Sequence, residues 1–398
     1  MLREATYSNG LRDVIISASE PDIWLETTDS VINFPGLVEL DGQKLYMTYH
    51  RGRHGGSEPL AAVVTDNLGA SWQPAPDDSP FIDRSPITGL NTVDFGSGIL
   101  GYPNDGSITR IDTYPIENWE VDYSSDDGPF HVVMQRSNPT FRLRKWSRAG
   151  HPLDDRTFKV EGFPWDVASH ENYARLIELN NGDLMTVFQQ QVGKPQVIND
   201  PSTNRRPTIK YSFSCAVIRS SDQGQTWQFV THFDPGESKP VYGPGDRAVD
   251  EGFDEPDVIQ LANGDILVIM RTGSYSPMFQ SRSTDGGMTW SEPAPTGWQG
   301  VKPRFELLPN GVLACVSGRG SYGHPQITHV MLSLDGTGSH WEYPFAFHTG
   351  PGCSYTSTMQ RDGMLHAIYS QSDFTRDLGT NALPSQSIRH ITINVKDI

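Results

Sequence analysis

Residues able to move protons or hold charge gather in a few short stretches of this chain. The loop His50-Arg51-Gly52-Arg53-His54-Gly55-Gly56-Ser57-Glu58 sets two His, two Arg and one Glu among three Gly. A His or a carboxyl group tuned toward neutral pH by its surroundings can protonate a leaving oxygen, and His54 and Glu58 are the candidates. His50 and His54 have no carboxylate at ligand spacing, so no metal and no cofactor is expected. Asp254-Glu255-Pro256-Asp257 places three acids around a Pro that fixes the start of a strand, which makes them either a solvated loop or, through Glu255, a working carboxylate. Arg271 closes the apolar run 266–270 and emerges at its end, as a ligand contact or half of a salt bridge. In His170-Glu171-Asn172-Tyr173-Ala174-Arg175, strand alternation separates His170 from Tyr173 and Arg175. Such a set could support β-elimination on a uronic acid, with Arg neutralising the carboxylate and Tyr or His moving the proton. A buried His beside a surface Tyr accounts for it equally well. Lys302, Arg304 and Arg319 add positive charge, for an anionic ligand group or for paired surface charges.

These residues need elements to bring them together, and the chain is built on repeats. Ser283-Thr284-Asp285-Gly286-Gly287-Met288-Thr289-Trp290 recurs in spacing at Ser220-Ser221-Asp222-Gln223-Gly224-Gln225-Thr226-Trp227. In this box the Asp accepts hydrogen bonds from the turn backbone, a Gly takes a turn conformation, and the Trp anchors the loop. Degenerate copies lie at 65–72, with Asn67 in the Asp place, and at 333–341; a fainter one is Ser124-x-Asp126-x-Gly128-x-Phe130. An independent signal is an apolar run, a Gly turn and a second apolar run, centred on Gly42, Gly106, Gly182, Gly264, Gly311 and Gly363. Six hairpins, each followed by a third strand, predict an all-β fold: one six-bladed β-propeller domain over 1–398, with a box after the third strand in blades one to five. Residues 13–17 are expected to close the ring beside the final strand near 387–395. Residues 111–165 resist assignment.

In a propeller the first strand of every blade starts where the central funnel opens. Residues just before the first strands and just after the second strands therefore converge. The first group holds Asn33, Asp94, His170, Tyr173, Asp254, Glu255, Lys302, Arg304 and Tyr355; the second holds Arg51, His54, Glu58, Gln189, Gln190, Arg271 and Arg319.

Composition narrows the partners. A net charge of −17 argues against nucleic acid and anionic membrane surfaces, though not against a small basic pocket. No apolar run reaches spanning length, and the start Met1-Leu2-Arg3-Glu4-Ala5 does not read as a signal peptide. Three Cys make no disulfide framework. A cytoplasmic location is expected, or a secreted one if a leader has been removed.

The boxes, the phrase Glu255-Pro256-Asp257-Val258-Ile259-Gln260-Leu261 with its Arg271, and Gly350-Pro351-Gly352-Cys353-Ser354-Tyr355-Thr356-Ser357 together resemble the sialidase (neuraminidase) superfamily over nearly the whole chain. The resemblance implies a structural role for the boxes, Tyr355 as nucleophile, Glu255 as the carboxylate that polarises it, and Arg271 as one of three Arg that clamp a substrate carboxylate. It places the acid/base near Glu58, a Glu where the family has Asp. The first clamp Arg is replaced by Asn33 in Asn33-Phe34-Pro35, and Arg319 or His324 stands nearest the third. A late family Glu is replaced by Ser370 in Ile368-Tyr369-Ser370. The scaffold is kept while the clamp is rebuilt or lost.

A Tyr nucleophile suits a substrate whose own carboxylate, next to the anomeric carbon, would repel a carboxylate nucleophile. The resulting expectation is a glycoside hydrolase removing a terminal acidic or sialic-like sugar from an oligosaccharide. Tyr355, Glu255, Glu58 and His54 are catalytic; Arg271, Arg304, Arg319, Asn33, Arg51, His170 and Tyr173 hold the carbohydrate. The alternatives are a lyase on uronate glycans working through His170 and Tyr173, and a non-catalytic carbohydrate-binding propeller.

Overall fold

The computed structural model describes residues 4–51, 60–76, 99–113, 117–125, 128–136, 140–165, 175–198, 208–234, 252–272, 277–318, 327–350, 352, 355–372 and 385–398. Of these, 60, 99, 113, 117–125, 128–136, 191–198, 208–212 and 342–344 are described by their backbone alone. Every named element is a strand, as the all-β expectation requires.

All six predicted hairpins form. Gly42, Gly106, Gly182, Gly264, Gly311 and Gly363 each lie between two antiparallel strands with φ from 65° to 91°, a region closed to most side-chain-bearing residues. The paired first and second strands run, for example, from Ile32–Glu39 to Leu45–Arg51 and from Asp254–Gln260 to Ile266–Arg271. The second strand Ile266–Arg271 is buried at every position, because its sheet is covered on both faces, which explains the unbroken apolar run 266–270. The outer strand Ala294–Gln299 of the same sheet is largely open to solvent.

Three sheets are separate four-stranded meanders, beginning at Ile32–Glu39, Asp254–Gln260 and Val301–Leu307. A six-stranded sheet carries the last strands, and Asp13–Ala18 pairs antiparallel with Gln386–Asp397 as expected. The two remaining runs of four depart from the expectation of isolated blades. Ile99–Gly101, Ser107–Thr113, Thr140–Ser147 and Pro152–Glu161 form one run; Arg175–Glu178, Leu184–Ile198, Thr208–Ser220 and Trp227–Phe233 form the other. Short parallel pairings join them at both edges, Leu100 and Gly101 with Arg175 and Leu176, and Val160 and Glu161 with Trp227 and Gln228, giving a closed eight-stranded barrel. Gly101 permits the inner contact, since a Cβ there would lie 2.4 Å from the Leu176 carbonyl oxygen.

Apolar clusters tie consecutive runs in cyclic order. Val38 and Tyr46 meet Ile108 and Trp146; Phe141 and Leu143 meet Leu184 and Phe188; Met185 and Val187 meet Val258 and Val268. Leu267 and Ile269 then meet Phe305 and Cys315, Val330 and Phe345 meet Leu365 and Ile391, and Ile368 and Ile388 return to Ile32 and Met47. The boxes sit between third and fourth strands and rivet these seams. Asp222 accepts from the Thr226 backbone N–H and the Ser220 hydroxyl, and Asp285 does the same with Thr289 and Ser283. Each box Trp packs on the outer strand of the preceding run: Trp72 on Trp24, Trp227 on Phe158, Trp290 on Phe233 and Trp341 on Trp298, with ring centroids 5.3–5.9 Å apart. Asp126, at the centre of the faint copy, lies outside the described residues, but the flanks of that copy are not a third and a fourth strand. They are the strands Glu117–Ser125 and Gly128–Arg136 of a separate two-stranded hairpin, inserted before the third strand Thr140–Ser147.

Two buried His make the fold acid-sensitive. Burial pushes the His329 imidazole down to about 4 from 6.5. His390 is also held down to about 4, by burial and then by the neighbouring His366, whose Nδ1 lies 2.8 Å from its Nε2; Asp22 pulls the other way. Both folded values lie below the unfolded one, so their stabilisation is complete above pH 6.5 and is lost as pH falls toward 4, where only the unfolded chain takes up these protons. For His329 alone this amounts to roughly 3 kcal/mol. Thermal melting at pH 7.5 and pH 4.5 should show a drop of several degrees, smaller in His329→Gln; equal drops in both proteins would refute the assignment to His329.

Candidate active site

Three first strands begin with the same irregularity. In Asn33-Phe34-Pro35, Asp254-Glu255-Pro256 and Val301-Lys302-Pro303 the ladder register slips, and the residue before Pro turns to positive φ: 52° at Phe34, 41° at Glu255 and 45° at Lys302. A Pro restricts the residue before it and a side chain disfavours this region, so each position is strained. Among the described residues, the other positive-φ residues with side chains, Leu68, Gln223 and Asp362, lie in turns. The three strained side chains, by contrast, surround one residue, Tyr355, just before the strand Thr356–Arg361.

Phe34 packs edge-on to the Tyr355 ring with centroids 4.8 Å apart, and the Lys302 ammonium lies 5.3 Å from the ring centroid. The Tyr355 hydroxyl donates a hydrogen bond to Glu255 Oε1. Arg271 Nη1 donates to the same oxygen at 2.6 Å and lies 3.3 Å from Tyr355 Oη. The second oxygen, Oε2, accepts the Lys302 backbone N–H at 2.8 Å, while the Glu255 backbone N–H donates to Gln189 Oε1 at 2.7 Å. Arg271 stands opposite Asp254 in the ladder, 3.9 Å from its carboxylate. Tyr355, Glu255 and Arg271 are all under a tenth exposed, so water screens these contacts little. A carboxylate locked by three donors beside a phenol can accept its proton, and the guanidinium can stabilise the oxygen that loses it.

The structure thus brings Tyr355, at the start of one sheet, to Glu255 and Arg271, which stand on neighbouring strands of another. Asn33 is buried nearby, its amide oxygen accepting from the Ser372 hydroxyl. Arg51 ends the strand Leu45–Arg51, exposed and paired across the ladder with Ile32. Arg304 lies elsewhere: Nη1 is 3.2 Å from Asp257 Oδ1, and Asp257 Oδ2 is 3.4 Å from Arg175 and accepts the Phe305 N–H at 2.7 Å. Pro303 separates Lys302 from Arg304, and the ladder resumes at Arg304, so the two cations part. Arg304 lines a cavity of about 490 Å³ with Glu39, Tyr102, Arg175, Glu178 and Glu306. Glu58, His54, Arg319, His170 and Tyr173 lie outside the described residues. Phe34, Lys302 and Gln189 carry more of the site than the sequence reading gave them; the signal available for the first two was the recurring residue before Pro at a strand start.

Residues 247–367 match the BNR repeat-like domain family, a stretch holding two boxes, Glu255, Arg271 and Tyr355. Among solved structures, a Dyadobacter fermentans protein of unknown function is 15% identical with a TM-score of 0.66, covering 96% of this chain and 99% of that one. The Hadza microbial sialidase Hz136 is 16% identical with a TM-score of 0.53 over 92% of this chain and 66% of its own. The Trypanosoma rangeli sialidase, solved with sialic acid, is 11% identical with a TM-score of 0.54 over 95% and 58%. This chain therefore spans less than two thirds of either sialidase. At such identities the likeness is one of fold, and the fold is sialidase-like. No curated protein sequence matches the chain.

Proposed function

We propose that the six strand runs are the blades of one β-propeller, and that the chain is a glycoside hydrolase of sialidase type removing a terminal acidic or sialic-like sugar. The cyclic order of apolar seams and the box rivets support the first part. The observation that carries the second is the buried hydrogen bond from Tyr355 to Glu255, with Arg271 on the same carboxylate oxygen. In this reading the Tyr355 oxygen attacks the anomeric carbon while its proton passes to Glu255. Glu58 or His54 protonates the leaving oxygen, and water later releases the sugar by the reverse sequence. Arg271, with Arg319, holds the anionic group, and no cofactor takes part.

The test is turnover on aryl glycosides of sialic acid, its deaminated analogue, glucuronic acid and rhamnose. Release from a sialic-type substrate is expected. An unsaturated product absorbing in the ultraviolet would replace hydrolysis with elimination, and binding without turnover would leave a carbohydrate-binding protein.

A further inference from the structure

The Lys302 side chain is buried to within 2% of full coverage, an unusual place for an ammonium, and its backbone is held at positive φ ahead of Pro303. Several contacts hold it there: its N–H on Glu255 Oε2, and Val301 packed with Phe34 and Tyr355 in one small cluster. Among the described residues, the charged and titratable groups gathered here are Asp254, Glu255 and Arg271 from one sheet, Lys302 from the next, and His50 behind Phe34 from a third. Arg271 already lies against both carboxylates, at 2.6 Å from Glu255 and 3.9 Å from Asp254. Two carboxylates and one guanidinium alone would leave the centre negative and disfavour any charge on the phenol. Lys302 adds a second positive charge among these described groups, 5.3 Å from the centroid of the Tyr355 ring.

We propose that Lys302 is a functional member of this centre, its ammonium favouring the phenolate form of Tyr355 when the hydroxyl proton moves to Glu255. The step is a proton transfer only: the O–H bond of Tyr355 breaks, an O–H bond forms on Glu255, and the negative charge passes from the carboxylate to the phenol oxygen. Glu255, once neutral, no longer draws on Arg271, so Arg271 and Lys302 face the phenolate together. The proposal rests on the reading of Tyr355 and Glu255 as the proton-transfer pair, and extends it to a residue with no part in that reading.

The experiment is an ultraviolet titration of phenolate absorbance, with the Tyr355→Phe protein subtracted from its parent to isolate Tyr355. Removing the ammonium in Lys302→Met should raise the Tyr355 midpoint by about one pH unit or more, a tenfold loss of phenolate at fixed pH, and Lys302→Arg should restore most of it. Lys302→Gly removes the charge while relieving the positive-φ strain, so it supplies the answer if the Met variant does not fold. A midpoint unmoved in a folded Met or Gly variant overturns the proposal. The titration needs no glycoside: absent turnover with a shifted midpoint would sink the hydrolase reading alone, and intact turnover with an unmoved midpoint would sink this inference alone.

Discussion

Tyr355→Phe should lower turnover of an aryl sialoside by about 10³-fold or more while leaving the protein folded. The change deletes one oxygen and keeps the ring. Its edge-on contact with Phe34 at 4.8 Å and its place beneath Lys302 remain available to phenylalanine. Glu255 loses one donor but retains Arg271 at 2.6 Å and the Lys302 N–H at 2.8 Å, so no bare carboxylate is buried. A thermal melt within a few degrees of the parent is therefore expected beside the kinetic collapse. The two readouts separate chemistry from packing. Turnover that survives in a folded Tyr355→Phe protein would remove tyrosine from the mechanism and turn attention to the loop 50–58 and to His170 and Tyr173.

The second large effect is on stability. Asp257 is fully buried and joins Arg304 at 3.2 Å, Arg175 at 3.4 Å and the Phe305 N–H at 2.7 Å. Asp257→Ala takes this acceptor from Arg304 and the Phe305 N–H, while Arg175 keeps the Phe305 carbonyl at 2.8 Å and Glu306 at 3.3 Å. Breaking a buried ion network by removing one partner costs about 3–5 kcal/mol. Denaturant unfolding should show that loss, and a change under about 1 kcal/mol would mean the network is solvated and adds little. The result also bears on Arg304. Its place with Asp257 makes it part of the packing between strands Asp254–Gln260 and Val301–Leu307, whereas a sugar clamp would need it beside Tyr355.

Much of the architecture was legible because it is local. A Gly turn between apolar runs, or an Asp bonded to its own box backbone, is decided within about ten residues, and every such hairpin appears where its residues imply. The faint copy misleads because Ser124 and Gly128, which fit a box in spacing, belong instead to the paired strands Glu117–Ser125 and Gly128–Arg136, and an Asp-and-Gly pattern looks alike in a box and between any two strands. The join of two runs into a barrel was invisible, since it depends on Gly101 and Leu176 meeting across 75 residues of chain.

The site divides in the same way. Strand ends placed Glu255, Arg271 and Tyr355 among many converging candidates, and the resemblance to the sialidase superfamily singled them out as partners. Neither signal could say that Lys302 joins them and Arg304 does not. Only the tertiary structure decided that, because one Pro-linked slip of the ladder sends two neighbouring cations to different surroundings, and the separation of charge follows from burial rather than from order along the chain.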